Sequence, residues 1–444
     1  MPGARSTALN ALLRVDDESG YSNLVLDSVL TQSSLSDQDR ALATAIFYGV
    51  LEHRITLDYI VGLFSKMPVA KLSPKVREIL RIGVYQIRWM DKIPPSAAVN
   101  ECVKLAKKNG EFRAAGFVNA VLRNLLRNPE KVRFPSEDRE PLRYRSVRDS
   151  CPENLIAFWN EKYGNACCDA ILKGMSAKPD IFVRVNNTRI SEKQLLERLK
   201  SEGIEAEPAQ WPELALRVKN AGELRRCATY REGLFHVQDS ASQLCCRCLD
   251  PQPGERIADV CAAPGGKSFT IAERMENCGR VDAFDLYTTR AGLIQKGADR
   301  LGLTTVHAGV RDAADPEEPL EPFDRVLCDV PCSGLGVIRR KPEIRYKFPG
   351  TIDSLPDLQY RILCRSSGLV KSGGVLVYST CTLNPEENSG VAGRFAKENP
   401  EFQPLVLSVP EGVPRFLSEP ENQITLLPCE HGSDGFFISA FRKR

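Results

Sequence analysis

The spacing of apolar residues changes period partway along the chain, and that change constrains its architecture more than any other feature. From Ser6 to about Asn128 apolar residues recur every three or four positions, as in Ala8, Leu12 and Leu13, then Leu24, Leu26 and Leu30, then Leu42, Ile46 and Leu51. This is the stripe of helices that each bury one face. From about Arg256 short β-type runs take over, at 256–260, 280–284, 305–307, 325–328, 374–379 and 435–440, with helical stretches from Ser268 and around Arg290 to Leu301 between them. Strands alternating with helices predict a doubly wound, Rossmann-like α/β sheet.

At 444 residues the chain exceeds one ordinary core,. Residues 1–130 read as an all-α domain, with helix starts at Ser36-Asp-Gln-Asp39 and at Ser73-Pro74,. Pro94-Pro95 breaks the run and Ser96 is placed to cap the next helix,. Residues 131–150 are polar and basic with Pro135 and Pro141, the composition of a linker,. Residues 151–235 read as a small α+β extension, with a strand at Ile181–Val185, a helix from Ser191 to Glu202 and a strand at Leu214–Val218,. Its Arg184, Arg189 and Arg217 suit RNA, and equally a structural extension of the domain at 236–444.

Composition narrows the functional classes. The 42% hydrophobic and 26% charged fractions are those of a folded chain,. No window approaches the ~18 apolar residues of a membrane span, and the N-terminus lacks a basic segment followed by an apolar one, so a cytoplasmic protein without membrane contact is expected. Fifteen scattered cysteines point to reduced thiols,. Cys245, Cys246 and Cys248 hold a Cys-x-x-Cys spacing, but neither a second pair nor a nearby histidine completes a zinc site, and helix packing is expected there, with no metal,. Four histidines, His53, His236, His307 and His431, supply hydrolytic triads poorly,. The net charge of +3 conceals a segment from Lys71 to Arg133 with fourteen Lys/Arg against five Asp/Glu. Phosphate contact and a solvated helix face both fit that run.

Ligands of a doubly wound sheet lie beyond the carboxyl ends of its strands, and the unusual residues cluster at such ends. The first strand runs into Cys261-Ala262-Ala263-Pro264-Gly265-Gly266-Lys267 and then a helix. Small residues let backbone amides approach a ligand, and a helix N-terminus favours its anionic end. The loop lacks both Gly-x-Gly-x-x-Gly and Gly-x-x-x-x-Gly-Lys-Ser/Thr,. Asp285 closes the second strand where a carboxylate meets ribose hydroxyls,. These two features fit S-adenosylmethionine and a dinucleotide alike.

The later motifs discriminate. Asp329-Val-Pro-Cys332 and Ser379-Thr-Cys381 follow two further strands, so both thiols are expected in one crevice. A lone buried cysteine is usually inert packing; two beside a donor loop suggest covalent chemistry. C5 of cytosine is a poor nucleophile until a thiolate adds to C6. Asp329 is placed to hydrogen-bond N3 and the exocyclic amine of such a base. Donation to N3 requires a protonated carboxyl, so burial is expected to raise its pKa; a loop-capping aspartate is the plainer reading.

These motifs, Asp259-Val-Cys-Ala-Ala-Pro-Gly-Gly-Lys267, Asp329-Val-Pro-Cys-Ser-Gly334 and Tyr378-Ser-Thr-Cys-Thr382 with Pro385-Glu-Glu-Asn388, resemble the Nop2/Sun family of RNA cytosine-C5 methyltransferases. The resemblance implies that Cys381 is the nucleophile and that Cys332 assists C5 deprotonation or product release. It implies a pocket for S-adenosylmethionine lined by Cys261 to Lys267, Asp285, Asp312 and Asp329, with Asp285 on the ribose and Asp312 near the adenine. Relatives with Gly-Asp-Gly-Arg at that last place differ from Ala308-Gly-Val-Arg-Asp-Ala313, where Val310 intervenes.

Phe47-Tyr-Gly-Val50, Leu80-Arg-Ile-Gly-Val-Tyr-Gln86, Val99-Asn-Glu-Cys-Val103 and Gly116-Phe-Val-Asn-Ala-Val-Leu-Arg123 resemble the helical NusB-like RNA-binding domain. With Val337-Ile-Arg-Arg-Lys341-Pro, they extend the likeness over nearly the whole chain, to the Sun/Fmu (RsmB) group of bacterial 16S ribosomal RNA methyltransferases. That implies 16S RNA as partner, no DNA and no metal; a monomer is expected. Arg339, Arg340, Lys341, Arg345 and Lys347 are candidates to grip phosphates beside the target,. A non-catalytic RNA-binding assembly factor, and a methyltransferase acting on transfer RNA, are the rival readings.

Overall fold

The computed structural model describes residues 3–18, 21–219, 224–315, 319–349, 352–415 and 419–444. By contact the chain divides into two units, Met1–Ser176 with Arg340–Pro349, and Ala177–Arg339 with Gly350–Arg444.

The first unit is helical: α1 (Ala4–Glu18), α2 (Ser22–Thr31), α3 (Asp37–Glu52), α4 (Arg54–Phe64), α5 (Pro74–Trp89), α6 (Pro95–Lys108), α7 (Ala115–Arg127), α8 (Pro141–Asp149) and α9 (Glu153–Ser176). Of the 3.6-residue stripe, Ala8, Leu12, Leu26, Leu30, Ile46 and Leu51 are buried in one core and Leu13 and Leu42 pack partly buried against it, whereas Leu24 is 63% exposed,. Ser36 and Ser73 cap α3 and α5 by accepting from Asp39 N and Val76 N,. Ser96 does not cap α6, which starts one residue earlier with Pro94 at its cap position and Pro95 inside its first turn,.

The expected linker is partly folded. Pro141 opens α8, whose Val147 is buried and accepts a hydrogen bond from Thr56 Oγ1 at 2.6 Å. Proline is compatible with a first helical turn, so its presence there marked a start rather than a connector. Helix α9 breaks at Gly164, where φ is 78° and ψ 165°.

Ten residues far along the chain complete this unit. Arg345 is 1% exposed and its Nη1 points at the carbonyls of Glu52, Asp149 and Ser150 at 3.2–3.4 Å. Tyr346 donates to Leu51 O at 2.7 Å, and Glu343 accepts from Ser22 N at 2.9 Å. Lys341 lies 4.1 Å over the Tyr21 ring. Arg345 therefore closes exposed ends of helices inside the unit and is not a phosphate ligand. In the Lys71–Arg133 segment, Arg81 is likewise internal, paired with Asp58 at 2.6 Å and with Glu78; the other basic residues apart from Arg77 are exposed.

The second unit holds two sheets. In the smaller, β1 (Ile181–Val185), β2 (Ala206–Pro208), β3 (Ala215–Val218) and β4 (Phe235–Val237) run in the order β2-β3-β1-β4, all antiparallel, with α10 (Glu192–Ser201) and α11 (Ala228–Arg231) inserted. A Ser191–Gln194 capping box starts α10,. Of its arginines, Arg184 is buried against Glu273 at 3.3 Å, and Arg217 pairs with Glu207 at 2.6 Å.

The larger sheet follows α12 (Ser240–Leu249): β5 (Arg256–Asp259), α13 (Gly266–Arg274), β6 (Arg280–Asp285), α14 (Thr288–Leu301), β7 (Val306–Val310), β8 (Phe323–Asp329), α15 (Leu355–Ser367), β9 (Val370–Thr380), α16 (Val391–Glu398), β10 (Phe402–Pro404), β11 (Gln423–Leu426) and β12 (Phe436–Lys443). Its order is β10-β12-β9-β8-β5-β6-β7, with β11 beside β12. The five strands from β9 to β7 are parallel, whereas β12 is antiparallel to β9, β10 and β11. The chain leaves β5 to build β6 and β7 on one side and β8 and β9 on the other, which makes the carboxyl end of β5 the switch point of the sheet.

Candidate active site

The donor-type loop rises from that switch point. Asp259 ends β5 fully buried, with Ser268 Oγ 2.7 Å from Oδ2, and burial pushes its carboxyl up to about 7 against the pull of that hydrogen bond. Val260 N donates to Leu327 O and Ala262 N to Phe284 O, tying the loop to both neighbouring strands. Gly265 has φ 109°, and a Cβ on it would sit 2.4 Å from the Phe269 ring, so only glycine fits,. Gly266 then opens α13 and Lys267 lies in its first turn.

Asp285 at the end of β6 is buried, and its Oδ1 accepts from Tyr287 N at 3.1 Å. Arg290 joins it to the loop, 3.4 Å from Asp285 Oδ2 and donating to Ala263 O at 3.2 Å. Asp285 pairs in register with Val310 at the end of β7, and Leu286, Tyr287 and Val310 are all about half exposed. A carboxylate with apolar side chains beside it suits a ribose and a flat ring. Neither Arg290 nor Leu286 lies in a recognisable motif, so the sequence alone does not single them out. Asp312 is exposed and its Oδ1 accepts from Ala314 N at 2.8 Å, a local turn contact.

Strands β8 and β9 pair in parallel with Asp329 opposite Ser379, so the loops after them emerge side by side. Cys332 and Cys381 are both half-buried with their sulfurs 3.2 Å apart. Gly336 makes this possible. Its N donates to Cys381 O at 3.0 Å, and a Cβ there would lie 2.0 Å from Gly435 O. The hydrogen bond with Cys381, burial, and the charges of Cys381 and Glu387 push Cys332 well above the usual thiol range. In the contact between the two sulfurs either one can be the donor.

Asp329 is not the buried acid expected, since its side chain is 26% exposed. Its Oδ2 accepts from Lys267 Nζ and its Oδ1 from Ser379 Oγ, both at 2.8 Å. Burial works to lower Lys267, but the charge and hydrogen bond of Asp329 outweigh it and hold the ammonium above its ordinary range. As placed, Asp329 is an acceptor on both oxygens.

Cys245, Cys246 and Cys248 are buried in α12, and burial pushes Cys245 up to about 12. Among the described residues no group of three or more His, Cys, Asp or Glu side chains could hold a metal ion, and no helix is long and apolar enough to cross a membrane. Arg339, another expected phosphate ligand, is buried with Nε 2.9 Å from Asp434.

Three family models match the chain: 16S rRNA methyltransferase RsmB/F over residues 246–442, the NusB family over 2–127, and the Methyltr_RsmF/B-like ferredoxin-like domain over 151–225. The probable ribosomal RNA small subunit methyltransferase B of Bacillus subtilis is 41% identical, covering 99% of this chain and 98% of that protein. Ribosomal RNA small subunit methyltransferase B of Vibrio cholerae is 33% identical, covering 99% and 97%. The crystal structure of the protein PH0851 superposes with a TM-score of 0.82 at 25% identity over 100% of this chain and 99% of that one.

Proposed function

The chain belongs to the RsmB/F family of 16S rRNA methyltransferases, and from that premise we propose that it methylates C5 of one cytosine in 16S ribosomal RNA through a covalent bond from Cys381 to C6. The observation that carries this reading is the pair of half-buried thiols 3.2 Å apart at the ends of adjacent parallel strands. Packing does not call for two sulfurs open to one crevice, whereas addition followed by elimination uses both.

S-adenosylmethionine, when bound, supplies the methyl group. The residues present fit it: the Cys261–Lys267 loop gives close approach, Asp285 an acceptor for ribose hydroxyls, and Leu286 and Val310 apolar cover for the adenine. Asp312, held in its turn by Ala314, remains in the proposal as the adenine-side acceptor. Lys267 acts through Asp329, which it orients.

The target base, turned out of its stack, meets Asp329 as an acceptor for its exocyclic amine. The Cys381 thiolate bonds to C6, and the ring electron pair at C5 takes the methyl group, whose former C–S bond pair stays with the departing S-adenosylhomocysteine. Once Cys381 is bonded to carbon, the charge that held Cys332 protonated is gone. Cys332 then gives its proton to water, and its thiolate takes the C5 proton. The released pair re-forms C5=C6 and expels the Cys381 thiolate. No metal ion enters this scheme.

The exposed basic residues between Lys71 and Arg133 serve in this reading as RNA contacts,, on a helical domain at 1–130 followed by an extension at 151–235 and a catalytic domain at 236–444. The protein works as a cytoplasmic monomer on RNA and not DNA. The test is methyl transfer from labelled S-adenosylmethionine to unmodified, protein-free 16S RNA and to bulk transfer RNA, with nucleoside analysis. Label in 5-methylcytidine from 16S RNA alone is the expected result. Label only in transfer RNA overturns the substrate, and binding of S-adenosylmethionine without transfer to either RNA favours an assembly factor.

A further inference from the structure

Glu387 is fully buried in the π-helical turn Glu386–Gly390, and its carboxylate meets four donors. Oε2 accepts from Ser333 N and from Gln359 Nε2, each at 2.8 Å, while Oε1 accepts from Asn384 Nδ2 at 3.0 Å and from Ser333 Oγ. Gln359 Nε2 also donates to Pro331 O at 3.0 Å. The Cys332 loop is thus gripped on both sides of the cysteine, at Pro331 and at Ser333. Asn384 lies in the loop after Cys381, and Ser333 Oγ is 2.6 Å from Thr382 Oγ1 in that same loop.

We propose that Glu387 is a positioning residue for the reaction: it fixes the two thiol loops against each other and so sets the sulfur separation that lets Cys332 act on the Cys381 adduct. The proposal rests on the roles assigned above to the two cysteines. A carboxylate is acceptor-only, which matches four donors; a glutamine of equal size turns an NH2 group toward the donors on one side and repels them. Glu387→Gln should therefore separate the loops without opening a cavity.

The test reads the sulfur separation directly. Full-length protein is treated with diamide, and closure of the Cys332–Cys381 disulfide is followed by peptide mapping. Each thiol gives up one hydrogen to the N=N bond, which becomes the hydrazine as the S–S bond forms. Glu387→Gln should close at least tenfold more slowly than the unaltered protein while binding S-adenosylmethionine equally well, and with RNA and S-adenosylmethionine it should accumulate covalent protein–RNA adduct. Closure at the unaltered rate overturns the proposal, because a residue that only satisfies buried donors does not control that distance. Should Glu387→Gln fail to bind S-adenosylmethionine, Ser333→Ala, which removes only the Oγ contact, decides: slower closure supports positioning and unchanged closure overturns it. If closure slows in Glu387→Gln but neither it nor Cys332→Ala yields adduct, the positioning role stands and the covalent reading of the two thiols fails instead.

Discussion

Replacing Cys332 by alanine separates the two chemical halves of the proposed cycle. In the proposed cycle Cys332 donates toward the Cys381 thiolate across the 3.2 Å between the two sulfurs. Loss of a hydrogen bond to a charged sulfur costs on the order of 1.5 kcal/mol, so less Cys381 thiolate is present at a given pH and adduct formation should slow by about tenfold. Removal of the C5 proton loses its positioned acceptor, and general acid–base help of this kind is worth roughly 10²–10⁴-fold. Decay is therefore slowed by more than formation, and the adduct should build up. The assay is a denaturing gel of end-labelled 16S RNA with protein and S-adenosylmethionine, sampled over time between pH 6.5 and 8.5. Cys332→Ala should give a slow-migrating, protease-sensitive band whose rate of appearance rises with pH. Cys381→Ala should give neither band nor 5-methylcytidine. Adduct formed by Cys381→Ala, or normal turnover by Cys332→Ala, would refute the assignment of roles.

Three other expectations test separate parts of the structure. Asp285→Ala removes a buried acceptor proposed for ribose hydroxyls and should weaken S-adenosylmethionine binding by about tenfold to a hundredfold in calorimetry, with an unchanged melting profile. Arg345→Leu leaves the carbonyls of Glu52, Asp149 and Ser150 without their buried donor; a cost of about 2 kcal/mol is expected in denaturant melts, with S-adenosylmethionine affinity unchanged, and an unaltered midpoint would contradict the buried role. Asp259 titrates near 7 when folded against about 3.9 unfolded, a raised acid whose stabilising effect is complete below pH 4 and is lost as pH climbs to 7. Between pH 5 and pH 8 Asp259→Asn should gain about 2–3 kcal/mol relative to the unaltered protein, and parallel pH profiles of the two would show that the carboxyl is not held protonated.

Legibility in the sequence followed the length of each signal. Six β-type runs of the larger sheet and the helices α13 and α14 were readable because each pairs a run of buried residues with a distinct break, whereas α15, α16, β10 and β11 went unread. Helices α1 to α7 were readable because their stripe repeats over a hundred positions, whereas α8 and α9 of the same unit were assigned to a linker and to the α+β extension. Strands β2 and β4 were not, since three residues such as Ala206–Pro208 carry no period of their own and become strands only by pairing, β2 with β3 and β4 with β1,. Proline misled in one direction, marking 131–150 as a linker although Pro141 begins a helix. Charge misled in the other: Arg345, Arg339 and Arg81 look like solvent-facing cations in a basic run, yet each is consumed by partners distant in sequence.

The site itself divides along the same line. The residues proposed to bear the chemistry stood out, because a thiol or a carboxylate directly after a strand has few structural reasons to be there, and β8 and β9 bring two such ends together by ordinary parallel pairing. Partners and aim were not visible, because other parts of the chain set them. Lys267, 62 positions from Asp329, donates to that aspartate and aims it. Glu387, 54 positions from Ser333, takes hold of the Cys332 loop through a motif whose letters alone name no partner. A strand end can declare which atom reacts; the distance at which a second atom assists it is decided by buried contacts between loops, and only the folded chain specifies those.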